Sequence, residues 1–306
     1  MQGIKNAIRF YYDLQDLRIG AGNRDSKTDV ALSKEDKEFL ALTSTTLKKL
    51  EREAEKLVAL RIKDVPINHE FLRKVRGVGT IMAGLMISEF DIEKAHTVSA
   101  LWRFCGLAVA ADGRAERRVK GQKSKFDPWL KAKMIQVLGS SFIKAVSFEN
   151  GVYGQMVPKR DENNKIITVW NEKEKKDKRV MVFCPFPEGE KVYRRFYDDY
   201  KHRKQNQVVD KCMLCDGKGK LNVDDEKEPV KKGEKKKKKE VVCWNCEGTG
   251  GPAPWGCGGK HIDLCSKRYM VKMFLAELWN VWRALEGLEI RPPYAEEYLG
   301  RVHHGR

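Results

Sequence analysis

The chain of 306 residues has no uninterrupted apolar run near the length of a membrane-spanning helix. Its first twenty residues are broken by polar and charged side chains, unlike a secretory signal. An intracellular, cytoplasmic protein with no membrane partner is therefore expected, nucleoid-associated if the source is prokaryotic. Negative charge is also in short supply. Sixty basic residues against 43 acidic ones leave a formal charge of +17, which favours a polyanionic partner and predicts binding that weakens with salt. Eight cysteines in such a setting point to metal rather than to disulfides. The length allows one large domain or two modest ones, with enough apolar residues for a core.

One stretch organises the rest. In Phe71 to Ile87, FLRKVRGVGTIMAGLMI, the residues Leu72, Val75, Ile81, Met82, Leu85 and Met86 recur at helical spacing on both sides of Gly77-Val78-Gly79. This predicts a helix, a tight hairpin and a helix. The glycines permit the turn, Val78 plugs the groove between the helices, Ala83 and Gly84 allow close approach, and Thr80 is placed to cap the second helix. Amides of such a turn, at a helix N-terminus, can hold a phosphate oxygen, and Arg73, Lys74 and Arg76 flank that place. The pattern resembles the helix-hairpin-helix, a binder of the DNA backbone without sequence preference. A purely structural hairpin is the alternative.

Residues 1 to 23 read as an amphipathic helix with Ile4, Ile8, Tyr11, Leu14 and Leu17 on one side, ended by Gly20-Ala21-Gly22-Asn23. Ser33-Lys34-Glu35-Asp36 is a capping signal that opens a helix to about Ile62. In it Phe39, Leu42, Leu47, Leu50, Ala54, Leu57 and Leu60 form a seam near heptad spacing. The seam calls for a partner, either another helix of this chain or a second copy in a dimerising coiled coil. After the hairpin, Ser99 to Leu107 reads as a helix, and Pro128 to Val146 as another with Leu130, Met134, Val137, Leu138 and Ile143 buried. Between them Arg114, Arg117, Arg118, Lys120, Lys123 and Lys125 crowd a glycine-containing loop. A charge run is commonly a solvated face, but beside a phosphate-holding hairpin it points to DNA backbone contact.

Beyond Asn150, KIITVW and RVMVF predict a two-stranded hairpin with a charged turn, with Cys184 a lone buried thiol. YRRFYDDYKHRK mixes aromatics and bases, for core packing or base stacking. Asp263 to Leu288 reads as a long helix carrying Leu264, Met270, Phe274, Leu278, Val281, Trp282 and Leu285, stopped by Pro292-Pro293. His303 and His304 sit in a basic tail.

The second strong signal is a pair of knuckles, Cys212-Met-Leu-Cys215-Asp-Gly-Lys-Gly219 and Cys243-Trp-Asn-Cys246-Glu-Gly-Thr-Gly250. Each Cys-x-x-Cys turn can offer two thiolates to one ion, the glycines let backbone amides face the sulfurs, and two turns complete a tetrahedral zinc site. One structural Zn2+ is expected. Four thiolates leave no open position for catalysis. Cys257, His261 and Cys265 form a further set that would share one helix face. The Lys-rich loop between the knuckles, including Lys235 to Lys239, is low in apolar residues and reads as disordered. The C-x-x-C-x-G-x-G repeat resembles the zinc module of the DnaJ-type chaperones, which has four repeats and two zincs; two repeats here do not imply chaperone function.

The order VRGVGTIMAGLMISEF, ALWRFCGLAVAADGRAERRVKGQKSK and LKAKMIQVLGSSFIKA, with YRRFYDDYKHRK and KRYMVKMFLAELWNVWRALEG later, resembles the C-terminal half of the insertion-sequence one-ten family of transposases. It covers about half of the chain in three blocks. The resemblance implies DNA strand exchange by an N-terminal RNase H-like domain with metal-binding acidic residues and a serine nucleophile in the C-terminal half, acting with a guide RNA. Two departures matter. The residues before the hairpin read as long helices without a strand-rich acidic domain, and the serine position holds Asp112, followed by Gly113. A carboxylate cannot replace a hydroxyl that must form a phosphodiester-linked intermediate. The catalytic residue is thus unassigned, with Ser124 a weaker substitute, and Ser140 and Ser141 read as helix packing.

The expected architecture is mainly α: a helical bundle around a helix-hairpin-helix, with a long N-terminal helical arm and a small zinc-ribbon-like insertion. The segments are 1–66 for the arm, 67–158 for the DNA-binding body, 159–205 for the β-hairpin and basic aromatic helix, 206–258 for the zinc insertion and 259–306 for the closing helix and tail. The expected function is a mobile-element DNA-binding protein, with Gly77, Val78, Gly79 and Thr80 at the phosphate and Arg73, Lys74, Arg76, Arg114, Arg117, Arg118, Lys120 and Lys123 neutralising its neighbours. The alternative is a non-catalytic adaptor for DNA or structured RNA. A third reading is a zinc-stabilised protein-interaction module.

Overall fold

The computed structural model describes residues 2–27, 32–109, 115–118, 121–172, 175–212, 214–224, 238–251, 253–254 and 259–291. Among these the chain is mainly helical with four small sheets. It divides into two units, Met1–Glu190 with Phe274–Arg306, and Lys191–Met273.

The first unit opens with α1 (Gln2–Lys27) and α2 (Lys34–Ile62), packed on one another and on the helix that follows the glycine turn. Ser33 caps α2 through a capping box with Asp36. Two expectations change here. Helix α1 runs through Gly20 and Gly22 to Lys27, because Ala21, buried in the packed face, holds the turn that the glycines weaken. Of the heptad seam of α2 only Ala54 is buried within this unit, together with Glu51, Val58 and Ile62 from outside it, whereas Phe39, Leu42, Leu50, Leu57 and Leu60 are exposed. The face is chosen by close approach rather than by side-chain size. A Cβ at Gly84 would meet Val58 at 2.5 Å and Ile8 at 3.2 Å, so small residues let three helices meet there. Glu51 is buried with its charge answered by Arg18, at 2.5 Å and 3.2 Å. On α1, Ile4, Ile8, Tyr12 and Leu14 are buried and Leu17 is exposed.

The limb before the glycine turn is not one helix. It consists of α3 (Pro66–Glu70), with Pro66 at its first position, and a 3-10 turn Leu72–Lys74, broken at Phe71. The Phe71 ring stacks near Phe274, centroids 6.0 Å apart, and that packing outweighs helical continuity. After the turn comes α4 (Thr80–Glu89), which buries Ile81 to Ile87 without a gap. Its N-cap is Gly79 and no side chain caps it, so Thr80 is the first helical residue rather than the cap.

Helix α5 (Val98–Phe104) is capped by Thr97. The helix expected from Pro128 to Val146 is α6 (Pro128–Ala132), a π turn over Lys133–Leu138, and α7 (Gly139–Lys144), opened by Asp127. It buries Leu130, Met134, Leu138 and Phe142, while Val137 is exposed, because the π turn shifts the inward face.

Strands β1 (Ser147–Glu149), β2 (Val152–Pro158), β3 (Thr168–Asn171), β4 (Lys176–Arg179) and β5 (Met181–Pro185) follow. The hairpin expected between KIITVW and RVMVF is not formed as such: β3 pairs with β4, drawn mostly from the expected charged turn, and RVMVF supplies β5 to β2, with Gln155 opposite Cys184. Cys184 is exposed rather than buried.

In the second unit lie α8 (Arg194–Gln205), β6 (Val208–Val209), β7 (Lys220–Asp224), β8 (Lys238–Val242), β9 (Ala253–Pro254) and the start of α9 (Gly259–Leu285). The remainder of α9 closes the core of the first unit. Phe274, Leu275, Leu278 and Trp279 are wholly buried there, Phe274 lies edge-on to Phe142 at 5.1 Å, and the Trp279 indole donates to the Ala95 carbonyl at 2.6 Å. Leu264 and Leu285 stay exposed.

Candidate metal centre and nucleic-acid interface

The two knuckles fold as near copies. In the first, the amides of Gly217 and Lys218 donate to the carbonyls of Cys212 and Cys215; in the second, Gly248 and Thr249 donate to Cys243 and Cys246. Each turn then needs left-handed backbone at the same places, Asp216, Gly217 and Gly219 in one and Glu247, Gly248 and Gly250 in the other. Glycine is required where the knuckles cross: a Cβ on Gly219 would lie 2.1 Å from the Gly248 carbonyl, and one on Gly250 2.2 Å from that of Gly217. The copies are tied reciprocally, Cys212 N to Gly250 O at 3.1 Å and Cys243 N to Gly219 O at 2.8 Å.

Four buried thiols meet at this crossing. All their sulfurs lie within 4.8 Å of one another, and Cys212 to Cys243 and Cys215 to Cys246 are 3.8 Å and 3.6 Å apart. An edge of a tetrahedron with 2.3 Å metal–sulfur bonds is about 3.8 Å, so the cluster fits one metal ion. The sulfurs are also presented as thiolates want to be. Gly219 N donates to Cys215 Sγ at 3.2 Å, Gly250 N to Cys246 Sγ at 3.3 Å, and the Asn245 amide to Cys212 Sγ at 3.4 Å. Burial works to raise the Cys212 pKa, but Asn245 and backbone donors outweigh it and bring it down to about 6; burial pushes Cys243 up to about 11. Asn245 is a site residue that the motif conceals, since its position in Cys-x-x-Cys is variable. Cys257 lies outside the described residues, and His261 Nε2 and Cys265 Sγ are 3.4 Å apart on α9, so the described residues supply two members of that set.

The basic candidates around the glycine turn belong to the first unit. Gly77 has φ +91° and is packed against the backbone of Phe142, and its carbonyl accepts from the Ser141 hydroxyl at 2.6 Å. The amide of Val78 donates to Val75 O at 3.2 Å within the turn. Gly79 is different: it is exposed, and a Cβ there would meet nothing within 4 Å. The uncapped start of α4 opens into a cleft of about 650 Å³ lined by Lys63, Asn68, Arg73, Val78, Gly79 and Thr80 among others. Asn68 is buried with its Oδ1 unpartnered, its Nδ2 donating to the Ile62 carbonyl. Lys63 and Asn68 carry no sequence signal, being brought here by the end of α2 and by α3.

Arg76 is turned elsewhere, its guanidinium bonded to Glu190 at 2.5 Å and Gln155 at 3.0 Å and lying 4.2 Å from the Phe186 ring. Lys74 pairs with Glu70 at 3.1 Å. Arg117, Arg118 and Lys123 are exposed. Asp112, Gly113, Arg114 and Lys120 lie outside the described residues, as do the His303 and His304 tail and Lys235 to Lys237. The Ser124 hydroxyl donates to the Phe126 carbonyl at 2.6 Å. No helix among the described residues is long and apolar enough to cross a membrane. No family model, no curated protein sequence and no solved structure matches this chain.

Proposed function

We propose that the chain is a DNA-binding protein of a mobile element, gripping the duplex backbone at the glycine turn and carrying one structural Zn2+ in its cysteine unit. The observation that carries the reading is the open, uncapped N-terminus of α4 at Gly79 and Thr80, facing a cleft with Lys63 and Arg73 on its rim. A helix start of this kind favours an anion through its amides and its dipole. In this reading α3 to α4 works as a helix-hairpin-helix, and the amides of Gly79 and Thr80 replace that of Val78, which the turn itself uses. Arg117, Arg118 and Lys123 add nonspecific charge.

The resemblance in motif order extends the reading to a transposase-like partner in DNA recombination. A non-catalytic adaptor, for DNA or structured RNA, is the second reading. It is favoured by the bonds of Ser124 to Phe126 and of Ser141 to Gly77, which give both hydroxyls structural employment.

The test is binding of labelled duplex across a salt series by Gly79→Glu. The site is open and φ is −86°, so the variant should fold, whereas Gly77→Glu would strike Phe142. Duplex affinity should fall by at least about tenfold through loss of amide access and charge repulsion. Unchanged affinity at low salt would remove the hairpin from the interface. Strand nicks or covalent adducts in the same reactions would separate the transposase from the adaptor.

A further inference from the structure

In the second knuckle one large apolar side chain takes no part in the sulfur cluster. Trp244 stands between Cys243 and Cys246 and is 67 % exposed, although its flanking cysteines are buried. We propose that the cysteine unit binds single-stranded nucleic acid by stacking an unpaired base on the Trp244 indole, with nearby lysines taking the adjoining phosphates.

The mounting is what makes this indole a platform. The turn that carries it is pinned at both cysteines, by Cys243 N donating to Gly219 O at 2.8 Å, Gly248 N donating to Cys243 O at 3.1 Å and Thr249 N donating to Cys246 O at 2.9 Å. A ring held on such a turn loses little freedom when a base covers it. Two residues earlier Val242 is 65 % exposed, and it pairs across the ribbon with Lys220, so both lie on one face. Leu221, on the opposite face, packs against the cysteine cluster. The apolar surface at Trp244 and Val242 is thus not needed to cover the metal centre.

Charge selects the occupant. The unit Lys191–Met273 carries 21 lysines and arginines against 12 aspartates and glutamates, and Lys218, Lys220 and Lys239 are exposed in the knuckles and ribbon. An aromatic face among lysines suits a polyanion that offers π-faces. In a duplex those faces are stacked on one another, so an indole meets them only in an unpaired strand. The ligand class therefore differs from that of the glycine turn, which would read duplex phosphates.

The experiment uses the full, zinc-loaded chain with labelled oligo(dT), oligo(U) and a duplex of equal length. Trp244→Phe should retain most single-strand affinity, and Trp244→Leu should lose roughly ten- to a hundredfold. Indole fluorescence quenched by the oligonucleotide in the parent should not be quenched in Trp244→Leu. Duplex binding and zinc content should be unchanged in both variants, as the side chain is exposed. The oligo(dT) and oligo(U) arms tell whether the strand is DNA or RNA. Equal binding by Trp244→Phe and Trp244→Leu at equal zinc content, no single-strand binding by the parent, or equal loss on duplex would each overturn the proposal. Gly79→Glu should leave single-strand binding intact, so the two readings fail separately.

Discussion

The helical unit and the cysteine knuckles are held together by different physics. Around Phe274, Leu278 and Trp279 the first unit buries large apolar side chains completely, and such burial contributes about 1.5–3 kcal/mol per residue. Among the described residues the knuckles have no comparable core. Their buried cluster is four cysteines with Leu214 and Leu221 packed beside it, and their turns hold left-handed backbone at six positions. Too little apolar surface is present to offset that ordering, and a metal ion held by the four sulfurs would supply the cohesion. The helical unit should therefore withstand metal removal, and the knuckles the loss of a large side chain from the helical core.

The largest expected effect is therefore metal removal. A chelator, or Cys243→Ser, should abolish zinc binding and unfold the knuckles, seen as loss of amide protection in residues 211–224 and 238–251, while the helical circular dichroism persists. Acid should act likewise. Cys212 is depressed to about 6 from an ordinary 9, so its thiolate contributes stability above pH 9 that is lost as pH falls through 6. Cys243 is raised to about 11, so its contribution holds below pH 9 and is lost as pH rises through 11. Zinc, which displaces a proton from each thiol it binds, should be released as the pH falls.

The converse experiment is Phe274→Ala. Removing a wholly buried ring that packs on Phe71 and Phe142 should cost about 3–5 kcal/mol of the stability of the first unit. Denaturant midpoints should move accordingly with zinc content unchanged. If zinc is lost in parallel, the two regions are not energetically separate. The smallest effect belongs to Cys184→Ser. The thiol is exposed on a strand, and neither melting temperature nor zinc stoichiometry should change.

The knuckles were legible because their signal is local. Cys-x-x-Cys and the Gly-x-Gly after it constrain a turn within eight residues, and the duplicated pattern leaves one geometric solution. The capping box at Ser33 was legible for the same reason. The seam of α2 was read on spacing that did not tell which of two neighbouring faces α1 would take. Val58 and Gly84 decide it, and they lie 26 residues apart in sequence. Arg76 illustrates the same limit: as a base beside the turn it reads as a phosphate contact, yet Glu190 and Gln155 hold it.

By itself the sequence determined a positively charged, mainly helical chain with a four-cysteine metal site, because charge, periodicity and turn chemistry act over a few residues. Only the tertiary structure decided that Gly79 rather than Val78 offers its backbone to the cleft, that Asn245 supports the Cys212 sulfur, and that Phe39, Leu42, Leu50, Leu57 and Leu60 lie outside the packed face. Those outcomes depend on close contacts between segments distant in sequence, and such contacts form only when the helices and knuckles are packed.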